Sequence, residues 1–244
     1  MVRREVSFSI GQLWIENKRE RAKELISTHF PEIKPVEDTF KEVIVRGASP
    51  VLRDVGKRLL CKEYSCRDVK NGLIEIKGYS MVREWEKERM KWALEEYFLH
   101  YDIEPEEIEL KEKGYKLRIR ILRKLEGKDL ERVIQNIHEH FLREVGFSFN
   151  VTARKGKTLY TEVLKEGVGI VGVCGAGIGL YAAPPFKDGE GYGHTHPRPS
   201  FFSENDLRTM MEDRERYHLL LIGDGKGFLY SPEAGTLPVH VRFE

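Results

Sequence analysis

The 244-residue sequence has few cysteines, almost no glutamine and no long apolar run. Its three cysteines, Cys61, Cys66 and Cys174, form no CxxC pair, and so small a number excludes a disulfide framework. No apolar stretch approaches the roughly 20 residues that a membrane-spanning helix needs, and the charged start at residues 1–5 does not resemble a secretory leader. Because reduced thiols are the rule in the cytosol, we expect a cytoplasmic protein that does not enter a membrane.

The sequence also lacks an excess of charge of either sign. Lys and Arg number 41 against 40 Asp and Glu, so no overall field attracts the chain to nucleic acid or to a membrane surface. Glu and Lys are abundant where glutamine is nearly absent, a pattern found in proteins from hot environments.

What the sequence does contain is a pair of histidines followed by a helix start. His194 and His196 stand at i and i+2 on an extended segment and therefore point to the same face, and Pro197 ends that strand. Ser203 and Asp206 lie one turn apart on the helix that follows. Two imidazoles and one carboxylate can hold zinc and leave a fourth position for water.

A purely structural interpretation of the same residues is also open. Ser203-x-x-Asp206 before Leu207 is typical of a helix capping box, and a His-x-His pair is common in proteins. The combination of paired histidines, a proline, a short spacer and Ser-x-x-Asp favours the metal site.

On these residues the chain resembles the JAMM (MPN+, JAB) metalloprotease family. The signature of that family is His-Ser/Thr-His-Pro, a short spacer, Ser-x-x-Asp and an upstream glutamate. The resemblance covers only about the last hundred residues. The spacer in this chain, Arg198–Phe202, is slightly shorter than the family usually has, so the position of Asp206 around its helix depends on how the spacer folds.

The resemblance implies a zinc-dependent hydrolase of amide or isopeptide bonds, with a protein or peptide substrate such as a conjugate of a ubiquitin-like modifier. It assigns His194, His196 and Asp206 as zinc ligands and Ser203 as the donor that stabilises the oxyanion. It also requires an upstream glutamate as the base.

Three glutamates could be that base. Glu162 is favoured, because residues 161–167 are similar to the Glu-x-Leu/Met-x-x-Gly segment of the RadC-type JAB proteins. Glu166, with the Glu-x-x-Gly spacing of the desubiquitinase branch, and Glu144, which follows a predicted helix as in that branch, are the alternatives.

Residue periodicity predicts an α+β protein of two domains. We place the boundary at the polar break at residues 126–128, between an N-terminal α+β domain of unknown role (1–125) and a JAB/MPN-like domain (126–244). In the second domain a mostly antiparallel sheet has helices before and after the histidine strand.

Two predictions within the N-terminal domain can be compared with the structure. Residues 6–10 alternate polar and apolar and are predicted to form a strand. A helix over residues 81–100 is predicted to bury Trp85 and Trp92 together with Met90.

Two other functions remain open. RadC-type proteins have a DNA-associated role, and the basic face of the Lys116–Arg123 strand could contact phosphate, although no other feature supports nucleic acid. The second alternative is an inactive scaffold that keeps a JAB shape and binds partners without catalysis.

Overall fold

The chain forms two compact units. The barrel unit comprises Met1–Leu59, Glu144–Gly169 and Ala183–Glu244, and the inserted unit comprises Leu60–Arg143 and Ile170–Ala182. The computed structural model describes residues 2–70, 72–122, 125, 127–173 and 179–244. Arg123 and Cys174, which entered the sequence predictions, lie outside the described residues.

Helices and strands follow one another along the whole chain, with short 3-10 turns at Pro31–Ile33, Leu60–Lys62 and Glu84–Glu86. In chain order the elements are α1 (Val2–Ile15), α2 (Arg19–His29), β1 (Glu42–Arg46), α3 (Pro50–Lys57), β2 (Tyr64–Lys70), β3 (Leu73–Gly78), α4 (Lys87–His100), β4 (Ile103–Lys111), β5 (Gly114–Ile121), α5 (Lys128–Glu139), β6 (Val145–Lys155), β7 (Thr158–Val168), β8 (Ile170–Val173), β9 (Gly179–Ala182), β10 (Gly191–Thr195), α6 (Glu204–Glu212), β11 (Tyr217–Gly223), β12 (Lys226–Ser231) and β13 (Gly235–Phe243).

Seven strands of the barrel unit close on themselves in the order β1-β13-β12-β11-β10-β6-β7. Four neighbouring pairs are antiparallel, whereas β1–β13, β1–β7 and β10–β11 are parallel. The predicted α+β class is confirmed. The closure of the sheet into a barrel was not predicted, and the likeness to the JAB/MPN fold remains a prediction.

The division into units differs from the predicted domains 1–125 and 126–244. Strand β1 lies between β7 and β13, with Glu42 in register with Thr158 on one side and His240 on the other. The first 59 residues therefore belong to the barrel unit. Pairing between segments more than a hundred residues apart leaves no local signal in the sequence.

The start of the chain is a helix rather than the predicted strand at residues 6–10. Side-chain hydroxyls at Ser7 and Ser9 donate to the carbonyls of Arg3 and Glu5, both at 3.0 Å. These bonds to the preceding turn let serine occupy a helix interior. Ile10 is fully buried within α1, so its apolar side chain fits the helix as well as it would fit a strand.

Glycines on β10 allow close packing against β6. A Cβ atom at Gly193 would lie 2.1 Å from the ring of Phe147, and one at Gly191 would lie 2.2 Å from the ring of Phe149. Both phenylalanines are fully buried. Because side chains in a core are already in van der Waals contact, only glycine fits at these two positions of the histidine strand.

The inserted unit contains a four-stranded antiparallel sheet in the order β2-β3-β5-β4, a core shared with α4 and α5, and the separate β8–β9 pair. Met90 of α4 is buried as predicted, but the burial of Trp85 and Trp92 was predicted wrongly: they are 61% and 53% exposed. Trp85 lies in the 3-10 turn before α4. Trp92 lies two residues from Met90 and from Leu94, and because successive residues of a helix are about 100° apart, it points away from these two buried side chains.

Among the described residues, no helix combines the length and the apolar character needed to cross a membrane.

Replacement of a barrel leucine tests the assignment of the core. Leu219 of β11 is fully buried, and it pairs with Gly193 of the histidine strand. We expect Leu219→Ala to lower the free energy of unfolding by about 2–5 kcal/mol, because it leaves a cavity in a packed interior. The matched control Leu164→Ala, at a strand position that is 45% exposed, should cost less than about 1 kcal/mol. Denaturant titration measures both free energies of unfolding, and equal losses in the two variants would contradict the assignment of Leu219 to the barrel core.

Candidate metal centre

The histidines lie at the end of β10, between two neighbouring strands. His194 pairs in register with Gly146 of β6 and with Leu220 of β11, and its side chain is buried. The pairing with β11 continues past the strand end, where the backbone N–H of His196 donates to the carbonyl of Leu221 at 2.8 Å. Pro197 follows and cannot continue a ladder. Both imidazoles are thus held by backbone pairing at the barrel rim.

Helix α6 brings Asp206 to the histidines through its N-terminal cap. Ser203 Oγ accepts a hydrogen bond from the backbone N–H of Asp206 at 3.3 Å, and Asp206 Oδ2 accepts one from the backbone N–H of Ser203 at 2.6 Å. The capping-box interpretation is therefore confirmed. It does not replace the metal interpretation, because the same carboxylate also faces the imidazoles.

Three potential ligands converge on one point. The Nε2 atoms of His194 and His196 are 3.2 Å apart. Asp206 Oδ1 lies 3.2 Å from Nε2 of His194, and Asp206 Oδ2 lies 3.3 Å from Nε2 of His196. Ligands about 2.0–2.1 Å from a tetrahedral zinc ion are about 3.3 Å from one another. The donor set and its spacing therefore fit zinc, and they match the three ligands predicted from the sequence.

Electrostatics at this cluster favour a positive charge. Burial raises the pKa of Asp206, but the charge and hydrogen bonds of His194 and His196 outweigh it and hold the pKa well below its ordinary value. Burial likewise lowers the pKa of His194, but Asp206 and, less strongly, Glu144 outweigh it, so the pKa is raised. The carboxylates thus stabilise a cation where the imidazoles meet.

Glu144 is the glutamate that the fold brings to the cluster. Its Oε1 atom lies 3.9 Å from Nε2 of His196, and its side chain is only 14% exposed. The β6–β10 register explains this position, since Gly146 faces His194 and Val145 donates its N–H to Thr195 Oγ1 at 2.9 Å. Two residues before Gly146, Glu144 therefore lies beside His196.

The preferred candidate, Glu162, is placed elsewhere. It is exposed on β7, in register with Asn150 of β6 and Arg46 of β1. Asn150 is four positions along β6 from Gly146, the register partner of His194. At about 3.4 Å per residue, these four positions separate the Cα atoms of Glu162 and His194 by about 13 Å along the strand direction. Strand β6 also lies between β7 and β10 and adds to this separation. The structure therefore does not bring Glu162 to the histidines, and this position does not support the preference for Glu162 as the base.

Glu166, the third candidate, has a structural role. Its carboxylate accepts hydrogen bonds from the backbone N–H of Ser49 at 2.7 Å and from the Ser49 hydroxyl. Ser49 is the N-cap of α3, so Glu166 joins β7 to the start of that helix.

Two residues near the cluster were not predicted to belong to it. Ser200 Oγ lies 2.9 Å from Nδ1 of His196, and the ring of Tyr192 stacks on His194 with centroids 5.8 Å apart. Burial, followed by the nearby charges of Glu144 and Asp206, raises the pKa of Tyr192 and keeps its hydroxyl protonated. Tyr192 stands two residues before His194 on the same strand, and because strand side chains alternate, the sequence predicts that the two lie on the same face.

The basic strand β5 was the sequence feature that could contact nucleic acid. Lys116 Nζ lies 2.9 Å from Glu107, and Arg120 Nη2 lies 2.7 Å from Glu106. Arg118 stands in register between Glu75 and Glu107. Glutamates of the neighbouring strands thus offset the basic charge on this face, which removes much of the support for phosphate binding.

Comparisons with protein-family models, with curated proteins and with solved structures found no match to this chain.

The pKa shifts predict a pH window for the stability of the metal-free protein. Asp206 has a folded pKa below its unfolded value of 3.8, so its contribution is present above about pH 4 and is lost on acidification. His194 has a folded pKa above its unfolded value of 6.5, so its contribution is present below about pH 6.5 and is lost as the pH rises.

We therefore expect Asp206→Asn to destabilise the chelator-treated protein most between about pH 4 and pH 6.5, by about 2 kcal/mol, and less at pH 8. Glu204→Gln, on the exposed first turn of α6, is the control and should show no such window. Denaturant titrations across pH measure the difference, and a pH-independent loss in Asp206→Asn would show that the ion pair is not its source.

Proposed function

We propose that this chain is a JAMM-type zinc hydrolase whose metal is held by His194, His196 and Asp206. The observation that carries the proposal is the convergence of three side chains: the two Nε2 atoms are 3.2 Å apart, and each lies 3.2–3.3 Å from one oxygen of Asp206. A second carboxylate, that of Glu144, lies 3.9 Å from Nε2 of His196. A helix cap formed by Ser203 and Asp206 would not require Asp206 to contact His194 and His196. The resemblance to the JAMM signature supports the same assignment.

Bound zinc would act as a Lewis acid that polarises the scissile carbonyl and lowers the pKa of a water molecule. Glu144 is the proposed base: it accepts the proton of the attacking water and delivers it to the leaving amine. Its side chain is 14% exposed and its Oε1 atom lies 3.9 Å from Nε2 of His196, which places a carboxylate beside the proposed metal position. This role replaces the one first given to Glu162.

Ser203 is the proposed donor to the oxyanion. Its Oγ atom uses a lone pair to accept the hydrogen bond from Asp206 N–H at 3.3 Å, which leaves the hydroxyl proton able to donate. Because Ser203 is exposed at the start of α6, a substrate carbonyl can approach it. A neutral hydroxyl held by a helix cap is suited to stabilise developing negative charge.

The substrate class that we propose is an amide or isopeptide bond in a protein or peptide, with conjugates of a ubiquitin-like modifier as the first to test. A cytoplasmic location fits this class. The inactive scaffold is less well supported, since one potential ligand atom from each of the three residues lies within 4.8 Å of the others. The DNA-associated alternative is weakened by the ion pairs along β5.

Zinc content is the first test. We expect about one zinc per chain in the wild type and none in the double variant His194→Ala/His196→Ala, because two of three ligands are lost. Atomic absorption of dialysed protein measures the content. If the wild type contains no zinc, even after refolding with metal, then His194, His196 and Asp206 form only a turn and a helix cap, and the proposed function is wrong.

Matched glutamate variants test the base. We expect Glu144→Gln to retain zinc and to lower hydrolysis of peptide and isopeptide substrates by about 10²–10⁴-fold, because the proton acceptor is removed. Glu162→Gln is the control on the neighbouring strand and should hydrolyse at the wild-type rate. If Glu162→Gln is the inactive variant and Glu144→Gln is not, the assignment of the base must be reversed.

A further inference from the structure

The hydroxyl of Ser200 is hydrogen-bonded to Nδ1 of His196, the ring nitrogen that faces away from the metal cluster. Its Oγ atom lies 2.9 Å from Nδ1 of His196, while Nε2 faces Asp206 and His194. For Nε2 to bind a cation it must keep its lone pair, so the single proton of the neutral ring must be on Nδ1. That N–H then donates to Ser200 Oγ. Outer partners of this kind fix the tautomer and the orientation of a histidine ligand.

The position of Ser200 is in turn fixed by the N-terminal helix. The backbone N–H of Phe201 donates to the carbonyl of Ser7 in α1 at 2.9 Å. Gly11, one turn further along α1, is buried against the same loop. A Cβ atom at Gly11 would lie 2.4 Å from the carbonyl oxygen of Pro199 and 2.7 Å from the Cα atom of Ser200. Both atoms belong to the backbone, so the loop itself would have to move.

Aromatic packing holds the other side of this loop. Phe201 and Phe202 are both fully buried, and the ring of Phe201 packs against Phe30 and Phe228 with centroids 5.0 Å away in each case. The loop therefore cannot move away from α1 without disturbing the core. Contact with α1 at one face and with the core at the other leaves Ser200 little freedom.

We propose that Ser200 is a positioning residue that sets the tautomer of His196, and that α1 holds it there through Gly11 and Ser7. The proposal rests on the proposed zinc site. It gives the start of the chain a role in metal binding, although residues 2–15 supply no ligand. It also distinguishes Ser200 from a nucleophile: its hydroxyl oxygen accepts a hydrogen bond from Nδ1–H of His196, so the imidazole does not act as a base towards this serine.

The test is the zinc dissociation constant of the full-length protein, measured by competition with a chromogenic chelator. We expect Ser200→Ala to weaken zinc binding by about 10- to 100-fold, and Ser200→Thr, which keeps the hydroxyl, to restore it. Gly11→Ala should weaken it as well. Ser9→Ala, an exposed serine of the same helix, should bind zinc as the wild type does.

A second glycine variant controls for loss of stability alone. Gly235→Ala would place a Cβ atom 2.1 Å from the carbonyl oxygen of Lys34. It lies at the other end of the barrel strands, opposite Ser231, and should lower the melting temperature without changing zinc affinity. Nitrogen-15 NMR of the imidazoles gives a separate readout: the Nδ1–H of His196 should exchange slowly with water in the wild type and faster in Ser200→Ala.

The outcomes separate this inference from the proposed function. No zinc in the wild type removes the proposed function itself. Zinc binding that is unchanged in Ser200→Ala overturns only the role of Ser200. Unchanged zinc affinity together with loss of hydrolysis in Ser200→Ala would make the serine a catalytic residue, and this too overturns the inference. If Gly11→Ala does not fold, the two Ser200 variants still decide the question.

Discussion

The carboxylate of Asp206 is the group on which the candidate site depends, because it belongs to a helix cap and to the histidine cluster at once. One oxygen accepts the N–H of Ser203 at 2.6 Å, and the two oxygens lie 3.2 and 3.3 Å from the two imidazoles. A capping carboxylate has little freedom around its helix. The start of α6 is therefore fixed to the end of β10, and the short spacer between them still allows the cluster to form.

The cluster of His194, His196 and Asp206 was predictable from sequence because its arrangement is local. His194 and His196 follow the period of a strand, Asp206 follows the cap geometry of a helix, and all three lie within residues 194–206. The glutamate was not predictable in this way. Glu144 reaches His196 only because β6 pairs with β10, and no local pattern distinguishes β6 from β7 as the partner. Local patterns therefore favoured Glu162, although the strand pairing brings Glu144 to the histidines.

The same distinction explains the errors in the fold. Short-range patterns predicted a helix that includes α4 and a strand that includes β5. Alternation at residues 6–10 favoured a strand, whereas serine hydroxyls that bond to the preceding turn permit a helix there. Helical spacing over residues 81–100 predicted Trp85 and Trp92 as core residues, but the helix begins only at Lys87, and tertiary packing decides which of its faces is covered. The closure of the barrel by β1 could not be predicted from the sequence, because its partner strands β7 and β13 are distant from it in the chain.

The chemistry of the cluster follows from having two carboxylates beside two imidazoles. Asp206 and Glu144 raise the pKa of His194, which means that a proton on that ring is one way to supply the positive charge that the site favours. A divalent cation is another, and it requires both rings to be neutral. Proton and metal therefore compete for the same electrostatic field. An Asp206 carboxylate kept ionised to low pH by its neighbours holds that field constant, so the competition is decided at the imidazoles. Nε2 of His196 faces the cluster and Nδ1 faces Ser200, and the proposed hydrogen bond from Nδ1–H to Ser200 would keep the lone pair of Nε2 free for a cation.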